Sequence, residues 1–285
     1  MLDTLTDPLE LYSNCRLCPH GCGVDRSAGE TGFCGVGHRL LAASHGPHFG
    51  EEPVLVGRGG SGTVFLAGCN LACVFCQNHD ISRHAAGRAL DAAGLADVFL
   101  ELQRRGCVNL NLVTPTHFTP GLLVALGSAR ERGFNLPVVY NCGGYESVET
   151  LRILAGQVVV YLPDAKYGPA APADELSGAA DYFPRLLEAL VEMENQVGVL
   201  ETADGVAVRG LIIRHLVLPG ELADSRGLLE RLAATLRPGH RLNVMGQYRP
   251  CYRANEFPGL NRRPTRAEVA QVRRLALELG FSLSG

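Results

Sequence analysis

The chain reads as an α/β protein, a partial (β/α)6 barrel of the TIM type with a cysteine-rich N-terminal module. Three observations carry that reading. From residue 62 onward, short apolar runs rich in β-branched residues alternate with amphipathic stretches, the pattern of parallel strands joined by helices. Six such repeats are too few for a closed eight-stranded barrel and enough for an open three-quarter barrel, whose gap would admit a large substrate. Ahead of them, the first sixty residues carry Cys15, Cys18, Cys22 and Cys34 among many glycines, with too little apolar surface to fold on packing alone. The expected divisions are 1–61 for the module, 62–250 for the barrel and 251–285 for a C-terminal extension and helix.

The first strand is expected over Gly62 to Ala67. After it, Leu95, Val98, Phe99 and Leu102 share one helical face, and Gly106 suits the helix stop. Asn109 to Thr114 reads as the second strand. Thr119 and Pro120 open a helix with Leu122, Leu123 and Leu126 facing inward, and Gly133 ends it. Pro137 to Asn141 is the third strand, and Ser147 starts a helix bearing Val148, Leu151 and Leu154. Val158 to Pro163 is the fourth. A loop around Gly168 to Pro172 leads to a helix with Leu186, Leu187, Leu190 and Met193 on one side. Val197 to Val208, broken at Asp204-Gly205, is expected as a small hairpin ahead of the fifth strand, Leu211 to Leu218. Leu228, Leu229, Leu232 and Leu236 mark the next helix, and Leu242 to Tyr248 the sixth strand. Thr265 and Glu268 form a capping box for a closing helix that buries Val269, Val272, Ala276 and Leu279.

Composition narrows the function classes. At 285 residues there is ample core to bury, and a net charge of −3 argues against a general binder of nucleic acid or anionic membranes. No apolar run reaches the length of a membrane span, and Met1-Leu2-Asp3-Thr4 lacks the basic and apolar regions of a signal peptide. A soluble cytoplasmic protein is expected. In a reducing compartment the ten cysteines point to metal chemistry rather than to disulfides.

The densest chemistry lies in Gly68-Cys69-Asn70-Leu71-Ala72-Cys73-Val74-Phe75-Cys76. Thiolates at this spacing can wrap one iron–sulfur cube and leave its fourth iron without a protein ligand, open to a substrate or cofactor. A structural zinc or an electron-transfer cluster is the alternative, and either normally takes a fourth protein ligand. The loop follows a buried strand, and strand carboxyl ends are where open and barrel-shaped α/β proteins usually do chemistry. The second group, Cys15, Cys18, Cys22 and Cys34, could hold zinc or a second iron–sulfur cluster, with His20 or His38 replacing one thiolate.

Strand, glycine, three cysteines and Phe75, in that order, resemble the radical S-adenosylmethionine superfamily. The resemblance implies a partial barrel, a [4Fe-4S] cluster on Cys69, Cys73 and Cys76, and S-adenosylmethionine bound through its amino and carboxylate groups to the open iron, with Phe75 near the adenine. It further implies reductive cleavage to methionine and a 5′-deoxyadenosyl radical that abstracts hydrogen, with a one-electron donor such as a flavodoxin or ferredoxin as partner. Within the superfamily the chain resembles pyruvate formate-lyase activating enzymes and their relatives. That rests on Gly60-Ser61-Gly62-Thr63, on Asn141 with Gly143, on Asp164-Ala165-Lys166 and on Ile213-Arg214-His215-Leu216. The pattern from Cys15 to Cys34 resembles that of a subgroup of those relatives.

Carried over by position, Asn141, Asp164, Lys166 and Arg214 would line the cofactor pocket. The two cations would hold the methionyl carboxylate, and Asp164 and Asn141 the amino group or ribose hydroxyls. The activating enzymes place Gly-Gly-Glu after the second strand, where this chain has Val113-Thr114-Pro115-Thr116-His117-Phe118. Thr114, Thr116 and His117 are the candidates to bond the amino-acid end of the cofactor instead. The hydrogen donor implied is a glycine in a partner enzyme, with another peptide or a small molecule as the alternative. Cys107 is expected to be buried and inert, whereas Cys142, Tyr145, Gln247 and Tyr248 lie at strand ends near the site. The Arg249, Arg253, Arg262 and Arg263 group lacks the aromatic series of a nucleic-acid surface.

Overall fold

Alternation along each strand decides which side chains face the inside of the barrel and which face the helices. The computed structural model describes residues 7–284, so Met1 to Thr4 lie outside the described residues. The strands are β1 (Leu40–His48), β2 (Ser61–Leu66), β3 (Arg88–Leu90), β4 (Asn109–Val113), β5 (Val138–Cys142), β6 (Val160–Pro163), β7 (Glu201–Ala203), β8 (Val206–Leu216), β9 (Arg241–Met245) and β10 (Ser282–Leu283). The helices are α1 (Pro53–Val56), α2 (His79–His84), α3 (Ala92–Arg104), α4 (Thr119–Glu131), α5 (Val148–Ile153), α6 (Ala173–Ser177), α7 (Tyr182–Val197), α8 (Ser225–Thr235) and α9 (Arg266–Glu278).

Strand order across the sheet is β3-β1-β2-β4-β5-β6-β8-β9-β10, with β7 paired to β8 alone. The run β2, β4, β5, β6, β8 and β9 is parallel throughout and each member is followed by helix, which is the partial (β/α)6 barrel. Parallel crossovers of one hand bring all six carboxyl ends to one rim. No pairing joins β10 to β3 among the described residues, and the barrel stays open.

On β8, Ile213 and His215 face the helices while Ile212 and Arg214 face inward. The outward His215 lies between the Ala165 carbonyl, 2.7 Å from Nδ1, and Ser225 Oγ of α8, 2.8 Å from Nε2. Leu55 of α1 closes the lower interior, packed among Val139, Val160, Leu162, Ala207 and Ile212. The main core lies between sheet and helices and includes Leu95, Phe99, Leu102, Leu186, Leu190, Met193, Leu228, Leu229 and Leu232, the expected helical faces. At the closing helix the capping box of Thr265 and Glu268 is present; Val272, Leu275 and Ala276 are buried, and Val269 and Leu279 are packed at the margin of the core.

Short elements β3, β10, α1, α2 and α6 add to the expected set, and two larger differences concern β1 and the hairpin. The segment before residue 62 contributes β1, which pairs antiparallel with β2 from Ala42 opposite Leu66 to His48 opposite Ser61. Gly46 and Pro47 mask it in the sequence. Proline is tolerated there because β3 covers only Leu40 to Ala42, leaving the rest of β1 an edge that needs no donor. The hairpin is also longer than expected, since its second arm runs without a break into β8. It bends at Gly210, where φ is +127° and a Cβ would meet Leu200 Cα at 2.4 Å.

The loops on the rim are tied by Tyr182. Its buried hydroxyl stands 2.8 and 2.7 Å from the carbonyl oxygens of Gly143 and Asp164 and accepts the Lys166 amide N–H at 3.0 Å. Tyr182→Phe should cost about 1–3 kcal/mol, the penalty of leaving buried polar groups without a partner. Urea denaturation checks this, and an unchanged midpoint would mean that the loops hold themselves.

Candidate functional site

The expected cysteine loop follows β2, as the end of a buried strand allows, and Cys69, Cys73 and Cys76 all line one cavity of about 380 Å3 at the carboxyl rim. A second cavity of about 240 Å3 adjoins it and shares Cys73, Cys76, Asp164, Lys166 and Arg214. Phe75 lines this second space with Gln247 and Tyr248, its ring edge-on to Tyr248 at 5.8 Å and to Tyr167 at 6.5 Å.

Each thiol receives a hydrogen bond or lies within reach of one. The Leu71 amide N–H donates to Cys69 Sγ at 3.4 Å, Ser177 Oγ–H donates to Cys73 Sγ at 3.0 Å, and Ser82 Oγ is 3.4 Å from Cys76 Sγ. The bond from Ser177 has no signal in sequence reasoning, because α6 reaches the loop through backbone contacts: the Ala72 and Val74 amides donate to the carbonyls of Ser177 and Leu176. Burial pushes the Cys69 thiol up to about 12 and raises Cys73, while the Lys166 ammonium works the other way on both.

Behind the thiols, charged side chains share a single network. Arg214 Nε donates to Asp164 Oδ1 at 2.8 Å, one terminal nitrogen to Glu51 Oε1 at 3.1 Å and the other to Asn141 Oδ1 at 2.6 Å. Lys166 Nζ donates to Asp164 Oδ2 at 2.7 Å. Glu51 Oε2 accepts from the side-chain amides of Asn111 at 3.0 Å and Asn141 at 3.1 Å. Burial opposes the charge on Asp164, but Arg214 and then Lys166 outweigh it and hold the carboxyl below its usual range. Burial likewise opposes the charge on Lys166, and Asp164 with the nearby thiols raises it nonetheless. Each nitrogen of the Arg214 fork has one partner, which uses three of its five donors. Lys166 has one partner for three donors and faces the cavity.

The structure brings together Phe75, Thr114, Asn141, Asp164, Lys166 and Arg214 with the three cysteines. Thr114 adopts φ +55°, a conformation that a β-branched residue rarely takes, and such strain concentrates at functional sites. Thr116 and His117 are not on the cavity wall. Thr116 donates to Glu146 Oε1 at 2.9 Å below the loop. His117 packs on the N-terminal side with Nε2 2.9 Å from the Ala67 carbonyl oxygen, and burial lowers its pKa to about 3. The turn at Pro115 swings both away from the rim. Glu51 escaped sequence reasoning because it lies in the segment read as separate from the barrel.

Cys142 also lines the cavity, but its surroundings differ from those of the cysteine loop. Burial and then the Glu146 carboxyl raise Cys142, whereas Cys69 and Cys73 have Lys166 as a neighbour. Tyr145 turns outward to Asp181, and Cys107 is buried away from the cavity. All ten cysteines are free, and among the described residues no three His, Cys, Asp or Glu side chains gather closely enough to grip a single metal ion. A cube of four irons and four sulfides spreads its thiolates wider than one ion does, so the donor set on the cavity fits a cluster. In the N-terminal module Cys15 and Cys34 are buried, Cys18 is half-buried and Cys22 is exposed. His20 and His38 each have one ring nitrogen against a backbone carbonyl, of Asn70 and Arg26 respectively.

Over 280 residues the chain is 33% identical to "Uncharacterized protein MJ0674" of Methanocaldococcus jannaschii, covering 96% of this chain and 77% of the relative. The chain belongs to that protein's family. No family model matches. A solved structure described as "Native anSMEcpe with bound AdoMet" aligns with a TM-score of 0.42 at 11% identity, over 76% of this chain and 62% of the other. The chain thus spans less than two thirds of that protein, and the likeness is too weak to carry a structural argument. No helix among the described residues is long and apolar enough to cross a membrane.

Beneath the cysteine loop, buried Glu146 accepts from Thr116 and, at 3.1 Å, from Tyr140 Oη. Burial outweighs these bonds and raises its pKa to about 7. The folded protein therefore keeps a proton on Glu146 that the unfolded chain loses above pH about 4.5, so stability falls as pH rises from about 4.5 to 7. His117 and His215, lowered by burial to about 3 and about 4, act in the opposite sense and weaken the fold as pH falls below about 6.5. Glu146→Gln should gain stability relative to the parent between pH 5 and pH 8. Denaturation midpoints at several pH values check this, and a difference that does not change with pH would count against it.

Proposed function

We propose that this protein is a radical S-adenosylmethionine enzyme. The observation that carries the proposal is that Cys69, Cys73 and Cys76 share one cavity with Lys166, Asp164 and Asn141, the residues that the family resemblance assigns to the cofactor. The three thiolates would hold a [4Fe-4S] cluster and leave one iron for the methionyl end of S-adenosylmethionine. The chemistry that such a cluster supplies, when bound, is one-electron cleavage of the sulfonium to methionine and a 5′-deoxyadenosyl radical.

The chain's own residues then divide the remaining tasks. Lys166 has one partner for three donors and lines the cavity, so it would take the methionyl carboxylate. Arg214, bonded through each of its nitrogens to Asp164, Glu51 or Asn141, would act first by fixing those three in place. Asp164 and Asn141 would receive the amino group or ribose hydroxyls, and Phe75 the adenine beside Tyr248. Where the activating enzymes have a glutamate after the second strand, the strained Thr114 offers a hydroxyl and a carbonyl oxygen at the cavity wall. Leu71 and Val74, both buried, limit water at the thiols.

The finer reading is hydrogen abstraction from a glycine of a partner enzyme, with electrons from a flavodoxin or ferredoxin. Its support is the resemblance to pyruvate formate-lyase activating enzymes and a barrel left open between β10 and β3.

Anaerobically reconstituted protein given S-adenosylmethionine and a strong reductant should form 5′-deoxyadenosine, and Cys76→Ala should abolish it. No product from protein of confirmed iron content would overturn the proposal. Lys166→Met should weaken S-adenosylmethionine binding tenfold or more, corresponding to a charge-assisted hydrogen bond of about 1.5–3 kcal/mol, while leaving iron content unchanged. Equilibrium dialysis would check that effect.

A further inference from the structure

The N-terminal module contains a fully buried arginine that no carboxylate balances. Arg26 is 0% exposed, and its guanidinium donates to the carbonyl oxygens of Val36 at 3.2 Å, Gly37 at 2.5 Å and His117. Its remaining contacts are Cys15 Sγ at 3.8 Å and the faces of Tyr12 at 4.7 Å and Phe118 at 5.7 Å. Among the described residues no Asp or Glu forms an ion pair with it. Carbonyl bonds satisfy its N–H groups and leave its charge unmatched, a costly state inside a protein. A negative group is required nearby, and cysteines are the side chains at hand.

The backbone draws those cysteines together. The Cys15 amide donates to the Val24 carbonyl and the Gly23 amide to the Cys15 carbonyl, both at 3.0 Å, which folds Cys15 back beside Cys22. The Phe33 amide donates to Cys22 Sγ at 3.4 Å, which places Cys34 beside the same thiol. A Cβ on Gly32 would stand 2.8 Å from Cys22 Sγ, so the chain passes as close to that sulfur as glycine alone permits. The apolar cluster holding this segment is Tyr12, Cys15 and Leu17 with Leu11 and Val24 at its margin, a small core for so many residues without regular structure.

We propose that Cys15, Cys18, Cys22 and Cys34 hold an iron–sulfur cluster of their own, with Arg26 as its buried counter-cation. Four thiolates around a cluster leave net negative charge next to the guanidinium. Zinc fits less well: at about 2.3 Å per Zn–S bond a single ion needs its four sulfurs packed tightly, and no three ligands in the described residues gather so closely. The proposal stands apart from the reading of the Cys69 loop, though the two segments touch. A Cβ on Gly68, next to Cys69, would meet the Cys34 carbonyl oxygen at 2.9 Å, and Gly68 has φ +82°.

The test uses full-length protein in which Cys69, Cys73 and Cys76 are all replaced by alanine, reconstituted without oxygen with iron and sulfide. About four irons and four sulfides per chain should remain, with the Mössbauer spectrum of a cube. The parent should hold about eight irons, and Cys18→Ser with Cys22→Ser should lower that to about four. A folded triple variant free of iron would overturn the proposal, as would one zinc per chain in protein isolated without oxygen. Arg26→Gln should move the midpoint potential of this second cluster to more negative values, since a cation favours the reduced form. An unchanged midpoint would remove Arg26 from the assignment. Absence of 5′-deoxyadenosine with the second cluster present would count against the radical reading alone.

Discussion

A guanidinium held largely out of water needs acceptors around it, and Arg214, half-buried at the rim, meets that need by collecting Asp164, Glu51 and Asn141. With Arg214 itself these residues come from four places in the chain: the loop after β6, the segment after β1, the end of β5 and the last few residues of β8. Strand register is thereby constrained chemically as well as by packing. A slip of one residue along β8 would turn Arg214 toward the helices and Ile213 toward the carboxylates, losing both the ion pairs and the outward His215 contact. Asp164 is shared between the two cations, Arg214 on one carboxylate oxygen and Lys166 on the other. The distribution of roles between the two cations follows from this one knot.

Much of the architecture was legible because parallel strands flanked by helices leave a strong periodic signal. All six barrel strands and the faces of their main helices follow from it, as does the capping box at Thr265. Arg214 was harder. It lies within its strand, so its direction depends on register, which only neighbouring strands determine. Asn141, Asp164 and Lys166 lie at or just past strand ends, where position alone places them on the rim. Thr116 and His117 have the same apparent placement in the sequence, but the strained Thr114 and the turn at Pro115 carry them under the loop. Glu51 left no local signal, because a Glu-Glu pair before a proline reads as an exposed helix start. Its meaning arises from partners on β4, β5 and β8.

The two cysteine-bearing segments differ in how they are built. The loop after β2 is held on rigid elements, with Cys73 bonded from α6 and Cys69 from its own backbone. The N-terminal segment has little core of its own and leans on the barrel through the Arg26 bond to the His117 carbonyl and the Tyr12 hydroxyl 3.3 Å from the Gly121 amide. His117 thus serves as a strut whose ring is pinned to Ala67 on one side and whose carbonyl receives Arg26 on the other. What position suggested as a ligand is mechanical support for the join between module and barrel.

The ion pair between Glu51 and Arg214 spans 163 residues of chain. On a ribosome adding about 5–20 residues per second, Glu51 would wait on the order of 8–30 s before its partner is made. During that interval β1 and β2 can pair, α1 can fold locally and Asn111 and Asn141 are made, but the carboxylate has no counter-cation. Its place at the rim is not complete until β8 arrives. Assembly of the barrel interior is therefore a late event in the life of the nascent chain.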